Sequence, residues 1–205
     1  MAALLAGLMS VGGVQTAAAT TPTFKLPFEC GTIWHASTYA SGTHGPNNEA
    51  VDLNNYVDYQ PHPTYDLGAP VLASADGTAT SGTDPSGLGN YITISHGGGW
   101  ATDYGHLNTV TLSTASDRDN STPGIQVYEG DQIGTVGSTG DSTAPHLHYV
   151  QKKLNVNTGT YVGKEVKIDG SAIAVAAVVT HQSPTPPRMR APTVASSGRT
   201  ILVRS

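Results

Sequence analysis

At 205 residues the chain holds enough material for one well-buried domain and too little for two ordinary ones. Only 12% of the residues are charged and 24 are glycine, which fits a loop-rich extracellular β-protein better than a helical cytosolic one. The formal net charge of -5 argues against a nucleic-acid partner and against electrostatic capture by an anionic envelope, so recognition has to rest on shape and hydrogen bonds.

The chain opens with an apolar run of small residues over 2–14, ending in Thr16-Ala-Ala-Ala-Thr20. This has the character of the hydrophobic segment and cleavage site of a secretory signal, although no Lys or Arg precedes Lys25. The run is too short and too interrupted for a membrane span, so stable membrane insertion is not expected. Residues 1–20 are accordingly read as a secretion signal, 21–179 as the folded domain and 180–205 as a Pro-rich, basic, disordered tail. Cys30 is the sole cysteine, which excludes an intrachain disulfide; it is expected to be a small buried residue beside Phe28 and Trp34. Nothing in the composition calls for an oligomer, and a monomer is expected.

Short apolar or alternating runs at 50–53, 70–74, 77–81, 91–95, 101–106, 109–112, 125–128, 132–136, 146–151 and 161–168 are each bounded by Gly, Pro, Asn, Asp or Ser. No stretch carries a capped 3.6-residue stripe, so the fold class is all-β. Ser95-His-Gly-Gly-Gly-Trp100 reads as a hairpin turn, and Glu129-Gly-Asp-Gln132 separates two further strands that lead toward the residues at 146–148. Residues 172–179 supply one more candidate buried strand.

Within this pattern the chemistry gathers at few places. His146-Leu147-His148 reads as strand, where residues two apart share a face, so two imidazoles stand side by side and Leu147 points the other way. A Gly/Ser/Thr loop, Val136-Gly-Ser-Thr-Gly-Asp-Ser-Thr-Ala-Pro145, delivers that strand into a cleft. His106 lies in Tyr104-Gly-His-Leu107, with Tyr104 and His106 expected on one face, and His44 precedes Asp52 in Ala50-Val-Asp-Leu-Asn54. Several imidazoles and a carboxylate suit a divalent metal, and zinc best. There is no His-Glu-x-x-His and no Gly-x-Ser-x-Gly, which disfavours helical zincins and serine hydrolases.

In this order, His44 with Asp52, Tyr-Gly-His106-Leu, Gly137-Ser-Thr-Gly140 and Pro145-His-Leu-His148-Tyr resemble the motifs of the M23 (lysostaphin/LytM-type) zinc metallopeptidases over roughly residues 30–153. The resemblance implies twisted antiparallel sheets forming a groove, a LytM-like β-sandwich of the duplicated-hybrid-motif type. It also implies cleavage of peptide cross-links or stems of bacterial peptidoglycan outside the cell. His44, Asp52 and His148 would hold Zn2+, His146 would act as the base, and His106 would hydrogen-bond the oxyanion. A rival ligand pair is His62 with Asp66, whose spacing is the one many members show. His44 and Asp52 are preferred because Val51 and Leu53 anchor Asp52 on a strand. Where many members carry an acidic residue after the last motif, Val150 and Gln151 stand here. A different class of reading is a non-catalytic module of the same fold that docks wall peptide or regulates another hydrolase.

Overall fold

Gly97, Gly98 and Gly99 take φ values of 78°, 54° and 78°, a run of left-handed backbone that only glycine adopts without strain. There β6 (Gly89–Gly97) turns into β7 (Trp100–Gly105), with a register irregularity between Ser95 and Gly97, so the expected hairpin is present. The computed structural model describes residues 20–37, 44, 49–57, 60–61, 66–112, 124–173 and 177–180. All but Thr20 of the residues read as a signal and all but Thr180 of those read as a tail lie outside this set, as does His62.

The remaining strands are β1 (Ile33–Ser37), β2 (Ala50–Val57), β3 (Gln60–Pro61), β4 (Pro70–Leu72), β5 (Gly77–Asp84), β8 (Thr109–Val110), β9 (Ile125–Val127), β10 (Gln132–Thr135), β11 (Leu147–Asn155), β12 (Thr160–Lys164), β13 (Lys167–Ile168), β14 (Ser171–Ala172) and β15 (Ala177–Thr180). One sheet has the order β15-β1-β2-β11-β7-β6-β5-β9, with β12 on β11 and β3 on β2; a second has the order β4-β10-β8, and β13 pairs with β14. Every strand pairing is antiparallel. Each of the ten expected strand segments contains strand, and the all-β expectation holds. No helix of the described residues is long and apolar enough to cross a membrane.

Alternation sorts the large sheet into two faces. Leu53, Leu147, Tyr149, Tyr104, Ile92 and Ile94 are fully buried and pack with Val71 and Ile133 of the second sheet, while Leu26, Phe28 and Trp34 add the N-terminal side of the core. Through this core runs a chain of hydroxyls. Tyr149 donates to Ser74 Oγ (3.0 Å), Ser74 Oγ and Tyr104 Oη lie 2.8 Å apart, and Ser74 N–H donates to Tyr104 Oη (2.9 Å). Buried hydroxyls are tolerated because they satisfy one another.

Two expectations need correction. Cys30 is exposed: it sits in the turn before Gly31 (φ 82°), while Phe28 and Trp34 stack directly on each other and leave no room between them. The run expected as one strand over 172–179 instead contributes to two, β14 and β15, with 174–176 outside the described residues.

Candidate active site

Strands β2 and β11 pair so that His148 stands opposite Asp52 and Leu147 opposite Leu53. Alternation therefore sends both leucines into the core and presents Asp52 and His148 together on the other face. Asp52 Oδ1 lies 3.0 Å from His148 Nδ1. His44 reaches the same carboxylate from the segment before β2, where Glu49 N–H donates to the His44 carbonyl (3.0 Å); its Nε2 is 3.3 Å from Asp52 Oδ2. One donor atom from each of His44, Asp52 and His148 lies within 4.8 Å of the others, the one cluster of this kind among the described residues. Burial opposes ionisation of Asp52, but hydrogen bonds from His148 and His44 and the charge of His146 outweigh it and hold the carboxyl well below the usual carboxylate range. An ionised carboxylate between two largely buried imidazoles is a donor set that fits a divalent metal.

His106 arrives by an irregularity. On β7, Gly105 faces His148 and Tyr104 faces Tyr149, so regular strand would have carried His106 into the core beside Tyr104. It has φ 61° instead, in the left-handed region that costs a non-glycine residue energy, and the ring turns to the opposite side. Its centroid lies 4.7 Å from that of His146 and 5.6 Å from that of His148. The expectation that Tyr104 shares this face is thus wrong: Tyr104 is fully buried on Ser74.

Two loops hold the His106 conformation. His106 N–H donates to Leu88 O (2.6 Å) and its Nδ1–H to Thr139 O (2.8 Å). Thr139 in turn accepts from Asn90 N–H (2.9 Å) and donates to Leu107 O (3.0 Å). The backbones at Gly89 and Gly140 approach so closely that a Cβ on Gly140 would fall 2.3 Å from Gly89 N. That contact explains the glycine ending Gly137-Ser-Thr-Gly140. Burial, with the neighbouring charges of His146 and His148, pushes His106 below an ordinary histidine despite the Thr139 hydrogen bond.

His146 is tied through its N–H to Gly137 O (3.1 Å) and through Nδ1–H to Ala144 O (2.8 Å), which leaves Nε2 facing Asp52 Oδ1 at 3.4 Å. The five residues singled out from the sequence, His44, Asp52, His106, His146 and His148, therefore meet around one carboxylate. Asp66 does not join them: Oδ1 accepts from Asn55 N–H (2.7 Å) and Oδ2 from Asn54 Nδ2 (3.2 Å). Gln151 faces the core, bonded to Tyr149 Oη and Lys167 O, and is turned away from the imidazoles. Sequence reasoning passed over Thr139 and Asn54. Only Asn54 carried a local signal, as it lies two residues beyond Asp52 on the same strand face.

Fold and site together define an all-β protein with a His/Asp/His metal-binding cluster and two further imidazoles beside it. The family model for peptidase family M23 matches residues 61–164, a span that takes in His106, His146 and His148 and begins after His44 and Asp52. The chain belongs to peptidase family M23. It is 43% identical over 82 residues to the DD-carboxypeptidase/endopeptidase Mpg of Neisseria meningitidis, 40% of this chain and 17% of that protein. To the peptidoglycan DD-endopeptidase ShyA of Vibrio cholerae it is 36% identical over 104 residues, 51% of this chain and 21% of the relative. These matches span about a fifth of the relatives' own lengths. The solved structure of the M23 metalloprotease pseudoalterin, from the deep sea, shares the fold with a TM-score of 0.51 at 23% identity, covering 76% of this chain and 83% of that one.

Proposed function

We propose that the chain is a secreted zinc metalloendopeptidase that hydrolyses peptide bonds in peptidoglycan cross-links or stem peptides. The observation that carries this reading is the arrangement around Asp52: three donors within 4.8 Å, and beside them two further imidazoles whose Nδ1–H groups are bonded to backbone carbonyls. Family membership and the names of the relatives support the substrate class, and the apolar run over 2–14 supports export.

His44, Asp52 and His148 would hold the ion, a nitrogen and oxygen set that suits zinc. When bound there, zinc supplies a Lewis acid that raises the acidity of water and polarises a carbonyl. The rest belongs to the protein. With Nδ1–H committed to Ala144 O, the neutral His146 ring offers Nε2 as the atom that takes a proton from the attacking water and returns it to the leaving amine. With Nδ1–H committed to Thr139 O, His106 can donate to a developing oxyanion only by carrying a second proton at Nε2. Burial disfavours that state in the resting site, and negative charge building beside the ring would favour it.

The test is mass spectrometry of muropeptides released from purified cell walls by the zinc-loaded protein. New amine and carboxyl termini within stem or bridge peptides are expected. Binding to walls with no release of peptide would replace this reading with that of a non-catalytic wall-binding module.

A further inference from the structure

Asn54 donates with both hydrogens of its amide: one goes to Asp66 Oδ2 (3.2 Å) and the other to the Pro145 carbonyl (3.4 Å), directly before His146. Asp66 is 3% exposed, and its second oxygen takes Asn55 N–H (2.7 Å), so the carboxylate grips β2 at two consecutive residues. A second route leaves the same residue. Ala69 N–H donates to Asp66 O (3.1 Å), Ala69 O accepts from Val136 N–H (2.9 Å), Gly68 N–H donates to Val136 O (2.8 Å), and the next carbonyl, Gly137 O, accepts from His146 N–H (3.1 Å). The peptide bearing His146 is thus fixed on both sides, at Pro145 O and at its own N–H, by paths that converge on Asp66.

We propose that Asp66 and Asn54 are positioning residues that hold the Ala144-Pro145-His146 segment so that His146 keeps its Nδ1–H on Ala144 O and its Nε2 toward Asp52. The proposal rests on the proton-transfer role given to His146 above. It also gives Asp66, one half of the rival ligand pair, a task outside the metal shell. Buried polar groups persist when fully satisfied, and here each partner has a defined acceptor or donor.

Exchanging the polarity of the pair separates positioning from stability. N54D alone sets two carboxylates against each other and should lower Tm. In N54D/D66N the new Asn at 66 donates to the new Asp at 54 and still accepts from Asn55 N–H, so Tm should recover, yet position 54 has no hydrogen left for Pro145 O. The expected result is metal content equal to wild type, kcat on soluble muropeptides lowered about 10–100-fold, and KM nearly unchanged. Long-range 1H–15N spectra of the zinc-loaded protein should show His146 as the Nδ1–H tautomer in wild type and as an average of tautomers in N54D/D66N. N54A, which keeps the bond from Asn55 N–H to Asp66, should show the same loss and serves if the exchange does not restore folding. Recovery of kcat together with Tm, or an unchanged His146 tautomer in either variant, would overturn the proposal. Absence of muropeptide cleavage by wild type would count against the proposed function alone, because the His146 spectra still decide the clamp.

Discussion

His106 and His146 face each other with ring centroids 4.7 Å apart because one residue, His106, leaves regular strand geometry at φ 61°. Both rings donate Nδ1–H to a main-chain carbonyl, Thr139 O and Ala144 O, so each is oriented by backbone and neither Nε2 is taken up by that bond. Replacing either by alanine should leave the metal in place and lower hydrolysis by about 10²–10⁴, the usual cost of losing a proton-transfer or oxyanion group. Metal analysis alongside muropeptide release checks this, and near-normal cleavage by either variant removes that residue from the mechanism.

Metal content distinguishes the two candidate ligand pairs. His44→Ala, Asp52→Ala and His148→Ala should each lose the ion, since each removes one of three donors held within 4.8 Å. His62→Ala and Asp66→Asn should retain it, the latter because both Asp66 oxygens are engaged by Asn54 and Asn55. Elemental analysis of the purified variants decides between them, and loss of metal from Asp66→Asn with retention in Asp52→Ala would reverse the assignment.

The hydroxyl chain in the core predicts unequal costs for two similar changes. Tyr104→Phe leaves the buried Ser74 N–H without its acceptor and should cost about 1–3 kcal/mol. Tyr149→Phe leaves Gln151 Nε2 still bonded to Lys167 O and should cost nearer about 1 kcal/mol. Urea denaturation of the pair measures the difference; equal costs would mean that the Ser74 amide finds another partner.

His96 supplies a pH dependence remote from the site. Its ring sits between Asp76 O (2.8 Å) and Thr102 Oγ1 (2.8 Å) with Phe24 edge-on, and burial holds it below an ordinary histidine. Below about pH 6.5 the unfolded chain therefore binds a proton that the folded chain resists. The stabilising contribution of neutral His96 is complete above that value and is lost as pH falls toward the folded-state pKa. Tm should decline over this window in wild type and less steeply in His96→Gln. An identical slope in both proteins would assign the decline to other groups.

Much of the fold was legible in the sequence because its signals are local. Alternation at 146–148 put both imidazoles on one face, since a period of two is a property of extended backbone. The glycines at 97–99 announced a hairpin because few other residues tolerate positive φ. Strand β1 was passed over although Trp34 and Ala36 alternate with more exposed neighbours, because five residues with a central His give a weak pattern without the β2 and β15 partners that bury them.

The order of His and Asp motifs, the all-β class and the direction of the His146 and His148 side chains were therefore determined by the sequence alone. The tertiary structure decided which donors meet and which way His106 turns. Asp52 and His148 are 96 residues apart and are joined only by the register of β2 on β11. The left-handed turn at His106 is held by Leu88 O and Thr139 O, from loops on either side of it in the chain. Spacing alone offered Asp66 as a ligand, and only the fold shows that its oxygens accept from Asn54 and Asn55. Local backbone preference depends on near neighbours and can be read from them, whereas which strands pair and which loops meet depends on residues far apart in the chain.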